Sequence, residues 1–393
     1  MAPSFGLMFP RSKNQGPRIA EYGGILSYSS EAHMEIPRRW RKSVMRRFSA
    51  TAILAAGIAA TAFAALAQNA PGPYKILKTA KVGGEGGFDY IFADIAARRL
   101  YTPRNGPMGH LAVFNLDTLE PLGQVDGVSA GGAAVDPKSH HGFSTTKPIT
   151  MWDSSTLKVI KTIDVDGRPD GIMFDPYNER VWILSHAVPY ATVIDAKDGT
   201  VVGTLDVGGG PEQAVSDGKG TIYVNVSDKA NIAVVDAKTL SVTAHYDMSS
   251  KGSGGSGLAL DAKNHVLFAY YRMPSPTVVI VNAQSGAIIT ALPTGVGVDT
   301  VAFNPATMEA ISAENSGSMT FIKENSPTSF AVEQTLQTMT GAKTLALDTK
   351  TNRVFTMTAE FGPPAANAPP GPAGRPARGP MVPDSFSLLM VGK

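Results

Sequence analysis

Five ionisable residues stand at corresponding positions along the chain and could together bind a cation or a polar ligand. These positions are 39 to 44 residues apart, and in chain order they hold Asp89, Gly131, Asp170, Glu212, Ser256, Asp299 and Lys343. Carboxylate oxygens are the ligands that Ca²⁺ and Mg²⁺ prefer. The sequence therefore makes Asp89, Asp170, Glu212 and Asp299 candidate metal ligands for calcium or magnesium. Lys343 becomes a candidate for binding a polar ligand beside them. No cofactor is required by the sequence.

The alternative is that the side chains at these positions have a purely structural role. Polar side chains at the starts of buried strands can satisfy backbone N–H groups, or can simply be hydrated in a wet channel, whatever the function.

A repeat of about 43 residues places these side chains. Each of the seven positions lies five residues before an Asp or Asn that ends a short apolar run and opens a polar turn. The turn-opening residues are Asp94, Asp136, Asp175, Asp217, Asp261, Asn304 and Asp348. A period of this length is typical of a β-propeller, and four short strands can be assigned to most units, which is one propeller blade. The repeat therefore predicts seven blades with the seven positions at the starts of the innermost strands.

The two ends of the repeat predict how the ring closes. The last unit has strands at 344–347, 353–357 and 386–391, and the chain then ends without a fourth. Segment 75–84 resembles the block-ending segment 201–209 and can supply the missing strand. We therefore predict an all-β, seven-bladed β-propeller closed by the N-terminal strand, which completes the last blade and covers an exposed strand edge.

The same topology predicts a binding rim. Alternate connections of a four-stranded meander lie on one face, so the inner strand starts share a rim with the loops between second and third strands. These loops hold Arg104, Asn105, His110, His186, Tyr190, Tyr271, Arg272, Glu314 and Asn315. From them we take Arg104, His110, His186, Tyr190 and Arg272 as candidate ligand-binding residues. A Pro/Ala/Gly-rich loop at 362–384 reaches the same rim and is expected to be flexible.

The N-terminal part of the chain indicates export. Arg46-Arg47 precede an apolar, Ala-rich stretch that ends in Ala65-Leu66-Ala67, so residues 45–67 are typical of a signal peptide. Residues 1–44 are interpreted as an upstream extension or a long leader, and 68–393 as a single propeller. A periplasmic or secreted protein without a membrane span after cleavage is expected. A retained anchor is the alternative.

Charge and cysteine content narrow the class of partner. Residues 1–67 contain nine Lys or Arg and three Asp or Glu, so the remaining chain carries −4 although the whole chain carries +2. The basic character thus belongs to the leader, and a nucleic acid partner is not expected. The chain has no Cys, so packing rather than disulfides must stabilise an exported fold. A monomer is expected.

Several blocks resemble the YVTN-type repeat of bacterial exported, YncE-like β-propeller proteins. The clearest matches are 222–226 (IYVNV) followed by 231–240 (NIAVVDAKTL). Residues 100–102 and 181–183 occupy the same strand in other blades, and 208–211 (GGGP) has the family's blade junction. The resemblance covers about residues 74–393. It implies a propeller fold and a binding role, which for one family member is single-stranded DNA binding.

Three functions follow as hypotheses. The first is a non-catalytic exported platform that binds a small polar ligand, a peptide or an envelope protein on the rim. The alternative is a metal-dependent, lactonase-like hydrolase in which a cation held by the four carboxylates activates water. The third, single-stranded DNA binding, is disfavoured by the negative charge, because affinity for phosphate depends on cationic contacts. The chain has no P-loop, nucleophile elbow or zinc-protease motif, so no catalytic residue is predicted.

Overall fold

The computed structural model describes residues 72–107, 109–367 and 379–393. Within these residues the chain forms seven four-stranded antiparallel sheets, of which six are meanders of consecutive strands and the seventh includes the N-terminal strand. The predicted seven-bladed β-propeller is therefore confirmed. The predicted extension at 1–44, the predicted signal peptide at 45–67 and the middle of the 362–384 loop lie outside the described residues.

The blades are numbered in chain order, and their strands run from the channel outward. Blade 1 contains β2 (Phe92–Asp94), β3 (Arg99–Arg104), β4 (His110–Asn115) and β5 (Pro121–Asp126). Blade 2 contains β6 (Ala133–Val135), β7 (His141–Ser144), β8 (Ile149–Asp153) and β9 (Val159–Ile163). Blade 3 contains β10 (Pro169–Asp175), β11 (Arg180–Ser185), β12 (Ala191–Asp195) and β13 (Val201–Leu205). Blade 4 contains β14 (Pro211–Ser216), β15 (Thr221–Val226), β16 (Asn231–Asp236) and β17 (Ser241–Asp247). Blade 5 contains β18 (Ser253–Asp261), β19 (Val266–Met273), β20 (Thr277–Asn282) and β21 (Ile288–Pro293). Blade 6 contains β22 (Val298–Asn304), β23 (Glu309–Glu314), β24 (Ser318–Ser326) and β25 (Ser329–Gln337). Blade 7 contains β26 (Leu345–Asp348), β27 (Arg353–Thr358), β28 (Ser387–Gly392) and, as its outermost strand, β1 (Lys75–Lys81).

The seven innermost strands form a closed ring around the channel. Each contacts the innermost strand of the next blade, and β26 of blade 7 contacts β2 of blade 1. The second and third strands bury their apolar residues between neighbouring blades, for example Trp182 in blade 3, which is 0% exposed. Packing between blades therefore holds the ring together, as a chain without Cys requires.

Local turn chemistry explains why the repeat folds in this way. All seven turn-opening residues accept hydrogen bonds at their side-chain oxygens from backbone N–H groups two to four residues ahead. In blade 2, for example, Asp136 Oδ1 accepts from the N–H of Lys138 at 3.0 Å, and His140 then adopts a left-handed φ of 61°. Asp and Asn favour such turns because the side chain substitutes for a backbone acceptor. The turns fix where each inner strand ends and the second strand begins.

The N-terminal strand closes the ring as predicted. β1 pairs antiparallel with β28, with Thr79 opposite Leu389. The preceding residue, Tyr74, is 3% exposed and stacks on Phe321 of blade 6 with the ring centroids 3.7 Å apart. Its backbone N–H donates to Gln334 Oε1 at 2.8 Å, and its hydroxyl donates to Glu309. The closing strand is thus anchored on two blades.

Helical structure is minimal in the part of the chain that the structure describes. A single 3₁₀ turn, Ser227–Lys229, links β15 to β16. No helix in the described ranges is long and apolar enough to cross a membrane.

Glu324 on β24 is a buried carboxyl group that should make the stability depend on pH. It is 2% exposed. Burial raises its pKa to about 7, with the Asn264 hydrogen bond opposing the shift and the charge of Asp261 adding to it. A carboxyl group whose pKa is raised by folding contributes stability at pH values below its ordinary pKa. This contribution is lost as the pH rises through about 7. Glu324→Gln should therefore raise the free energy of unfolding at pH 8 by roughly 1 to 3 kcal/mol, and by less at pH 5. Urea unfolding at both pH values measures this, and an equal effect at both would contradict it.

Candidate functional site

The loops between second and third strands meet the blade junctions on one rim of the ring. Backbone hydrogen bonds tie the two kinds of segment together: His186 N–H donates to the carbonyl of Arg168 at 3.1 Å, and Asn315 N–H to that of Gly297 at 3.0 Å. The innermost strands start at this rim. Side chains from both kinds of segment therefore surround the mouth of the central channel.

A chain of ion pairs crosses the mouth through residues of five blades. Lys343, which precedes blade 7, donates to Asp89 Oδ1 at 2.8 Å and to Asp299 of blade 6. Arg272 of blade 5 donates from Nη2 to Asp299 Oδ1 at 2.8 Å, and its Nη1 lies 3.5 Å from Glu212 Oε1 of blade 4. The two cations thus neutralise Asp89 and Asp299 and connect consecutive blades.

Burial changes the acidity of this ion-pair chain. It raises the pKa of Asp89 to about 6, even though Lys343 opposes the shift. Burial also raises the pKa of Glu212, with Arg272 acting in the opposite direction. For Lys343 burial acts to lower the pKa, but Asp299 and Asp89 outweigh it, so the ammonium pKa is raised. The lysine is therefore a permanent cation at the mouth.

Asp170, His186 and Glu212 form a second polar group beside this chain. Their ligand atoms, a ring nitrogen and two carboxylate oxygens, all lie within 4.8 Å of one another. His186 Nε2 is 2.9 Å from Asp170 Oδ2, and the hydroxyl of Tyr90 donates to the same oxygen at 3.0 Å. Two strands of blade 3 and one of blade 4 thus bring one imidazole and two carboxylates together.

Hydrogen bonding sets the charge states of Asp170 and His186. Burial acts to raise the pKa of Asp170, but the hydrogen bonds from His186 and Tyr90 and the charge of Lys343 bring it below its ordinary value. The hydrogen bond to Asp170 raises the pKa of His186 against its burial. The pair therefore favours an ionised carboxylate and a histidine that is readily protonated.

A cavity of about 460 Å³ opens beside Glu212 and His186. Its walls are formed by Arg168, His186, Tyr190, Gly210, Glu212, Ser227, Asp228, Ser253 and Gly254. It therefore offers a guanidinium, an imidazole, carboxylates and hydroxyls within one concave space, and these groups can form hydrogen bonds and ion pairs with a polar molecule.

Gln213, which directly follows Glu212, connects the inner strands of three blades. Its Nε2 donates to the carbonyl of Val301 at 3.0 Å. Its Oε1 accepts from the N–H of Leu258 at 3.2 Å and from that of Val301 at 3.1 Å. This amide therefore bridges the inner strand of blade 4 to those of blades 5 and 6 beside the mouth.

The structure brings only some of the sequence-predicted residues to the mouth. Asp89, Asp170, Glu212, Asp299, Lys343, His186, Tyr190 and Arg272 lie there. Arg104 does not: its guanidinium stacks 3.6 Å from the centre of the Phe386 ring and donates to the carbonyls of Gly84 and Glu85. With His110 it lines a separate groove of about 480 Å³ between β1 and blade 1. Tyr271 and Glu314, also expected on the rim, are buried at 2% and 0% exposure.

Six polar residues of the mouth and its cavity were missed from the sequence: Tyr90, Arg168, Gln213, Ser227, Asp228 and Ser253. Tyr90 and Gln213 each directly follow a predicted ring carboxylate, Asp89 and Glu212. Inspection of the neighbours of the ring positions could therefore have found them. Asp228 lies in the 3₁₀ turn Ser227–Lys229, and no repeat position signals it.

The comparisons with known proteins agree with the fold. No protein-family model matches the chain, and no curated protein matches it either. Among solved structures, the chain is similar to one in the crystal structure of the mitotic checkpoint complex, with a TM-score of 0.63, 9% identity, 73% of this chain covered and 90% of the other. It is also similar to a chain of the Kuenenia stuttgartiensis hydrazine synthase, with a TM-score of 0.60, 13% identity, and 69% and 92% covered.

Fold and site together define the class: a seven-bladed β-propeller with a charged channel mouth. At these identities the structural likeness shows the fold alone, and a propeller fold hosts many functions.

Proposed function

We propose that this chain is an exported propeller of the YVTN type that acts as a non-catalytic binding platform for a small polar ligand. The cavity beside Glu212 and His186 is the observation that carries the proposal. Arg168 can bind an anionic group of the ligand, and Asp228 and Glu212 can bind a cationic one. Ser227, Ser253 and Tyr190 add hydroxyls, so zwitterions such as amino acids and polyols such as sugars fit this lining best.

A thermal-shift screen of the full chain tests the platform. Sugars, amino acids, lactones and oligonucleotides serve as probes, because a ligand that binds only the folded state stabilises it by about 2.7 kcal/mol at 100 times its Kd. Tyr190→Ala and Asp228→Asn should remove the shift given by a sugar or an amino acid. The matched control, Asp198→Asn, lies in an exposed turn of blade 3 and should preserve it. Absence of any shift with sugars and amino acids would contradict the proposal.

A metal-dependent hydrolase is the second candidate, and the closeness of Asp170, His186 and Glu212 favours it. An ion held there could activate a water molecule against a lactone carbonyl. Chelator-sensitive hydrolysis in the lactone samples of the same screen would distinguish it from a platform that only binds.

Single-stranded DNA binding has less support. The cavity carries carboxylates from Glu212 and Asp228, which repel phosphate, and the oligonucleotide samples of the screen are expected to show no shift. A peptide or an envelope protein remains an alternative occupant of the rim.

A further inference from the structure

The cluster of Asp170, His186 and Glu212 combines ligand types that point to a particular class of metal. One imidazole nitrogen and two carboxylate oxygens converge within 4.8 Å. Imidazole suits zinc and other divalent transition metals, whereas Ca²⁺ takes six to eight oxygen ligands and Mg²⁺ keeps octahedral oxygen ligands. Three protein ligands with a free fourth position are the usual set for an open zinc site. The donor set therefore differs from the four-carboxylate calcium or magnesium site that the sequence indicated.

The distances suit such an ion after small side-chain movements. With bonds of about 2.0 to 2.2 Å, tetrahedral ligand atoms lie roughly 3.3 to 3.6 Å apart. The Asp170 and His186 atoms are 2.9 Å apart and would separate slightly, and Glu212 would approach by rotation of its side chain. All three residues lie on or directly beside strands of blades 3 and 4, so the backbone holds their spacing.

Charge favours a cation at this point and not elsewhere on the ring. Lys343 already contacts Asp89 and Asp299, and Arg272 contacts Asp299. In the described ranges no Lys or Arg lies within ion-pair distance of Asp170, and the nearest cation to Glu212 is Arg272 at 3.5 Å. Asp170 thus has the imidazole of His186 as its partner, and Arg272, which also serves Asp299, is the cation beside Glu212. A divalent ion between Asp170 and Glu212 would balance the remaining negative charge.

The surroundings supply an outer hydrogen bond and an open side. Tyr90 donates to Asp170 Oδ2 at 3.0 Å, which is the kind of contact that orients a metal-ligating carboxylate. His186 and Glu212 border the 460 Å³ cavity, so the fourth position of the ion would face the ligand.

We propose that Asp170, His186 and Glu212 bind a zinc-class divalent ion, whose free coordination position receives an oxygen or nitrogen of the ligand in the adjoining cavity. The role of the ion toward a ligand rests on the proposed function, whereas binding of the ion itself does not. Ligands with a carboxylate, or with adjacent hydroxyl or amine groups, would then be favoured over uncharged apolar molecules.

Calorimetric titration of the chelator-treated full chain with ZnCl₂ alone tests the site. One zinc per chain should bind, and Ca²⁺ and Mg²⁺ at least about 100-fold more weakly. His186→Gln and Asp170→Asn each remove a ligand and should weaken zinc binding about 100-fold or more, whereas Tyr90→Phe, which changes only the outer hydrogen bond, should weaken it about 10-fold. The matched control is His245→Gln, at an exposed histidine of β17, and it should bind as wild type does.

Two outcomes would overturn the site: no zinc bound by the wild type, or unchanged affinity in folded His186→Gln. If that variant fails to fold, Tyr90→Phe and the visible spectrum of Co²⁺ in the wild type decide, because tetrahedral coordination with a nitrogen ligand gives intense absorption and hydrated cobalt does not. Repeating the sugar and amino-acid screen with and without chelator separates the two proposals. Ligand binding that survives chelation leaves the platform standing without its ion, and zinc binding without any ligand leaves the ion site standing without the platform.

Discussion

Tyr74→Ala is expected to lower the free energy of unfolding by about 3 to 5 kcal/mol, the range measured for removing a buried aromatic side chain. The side chain is 3% exposed and stacks on Phe321 of blade 6. Its strand, β1, pairs with β28 of blade 7, so the variant loosens the closure of the ring as well as leaving a cavity. Chemical denaturation of the full chain measures the change.

The matched control is Tyr177→Ala, at a tyrosine that is 44% exposed in the first turn of blade 3. A surface substitution of this kind should change stability by no more than about 0.5 kcal/mol. Tyr74→Phe retains the stacking and loses only the hydroxyl bond to Glu309, so it should lose about 1 kcal/mol. Deletion of residues 74–82 should be more damaging still, because it exposes the edge of β28. An unchanged melting temperature in the deletion variant would reject the closure.

The ring and its closure were predictable from the sequence because each blade is specified locally. A turn such as that at Asp136 depends on a side chain and the N–H groups within the next few residues, and this chemistry recurs at one period. The closing strand was predictable for the same reason, since segment 75–84 repeats the pattern of an outer strand. Tyr74 is different: its contacts with Phe321 and Gln334 join residues about 250 positions apart, and nothing local signals them.

The site could be predicted only as a set of positions. Topology correctly indicated that Asp89, Asp170, Glu212, Asp299 and Lys343 converge at one mouth. It could not indicate their partners, because Asp89 pairs with Lys343 while Asp170 pairs with His186 through contacts between different strands and blades. Equivalent positions in a repeat therefore have unequal chemistry.

Arg104 was predicted to lie at the mouth but lies elsewhere in the structure. It is the last residue of β3, the second strand of blade 1, just as His186 directly follows the second strand of blade 3, yet its guanidinium packs on Phe386. Phe386 precedes β28, and its ring centroid lies 5.1 Å from that of Phe88, which in turn lies 6.5 Å from that of Phe361. This aromatic cluster exists only where the chain ends meet, so no other blade could have indicated it.

Lys343→Met should lower the free energy of unfolding by about 3 kcal/mol or more, because it leaves two partly buried carboxylates without their shared cation. Asp299 keeps Arg272, but Asp89 has no other cation within ion-pair distance among the described residues. The double variant Lys343→Met, Asp89→Asn removes the unpaired charge and should recover part of the loss. The exposed pair Lys138–Glu179 provides the control, and Lys138→Met should have no measurable effect.

The pH dependence of Lys343→Met provides an independent check. In the wild type the pKa of Asp89 is already raised to about 6 by burial, and loss of Lys343 removes the charge that opposes the shift. A carboxyl group with a raised pKa stabilises the fold only while it is protonated. The difference between Lys343→Met and the wild type should therefore be largest above pH 7 and should shrink as the pH falls toward 5. A difference that stays constant over this range, or a double variant no more stable than the single one, would show that Lys343 acts through packing of its aliphatic stem and not through its charge.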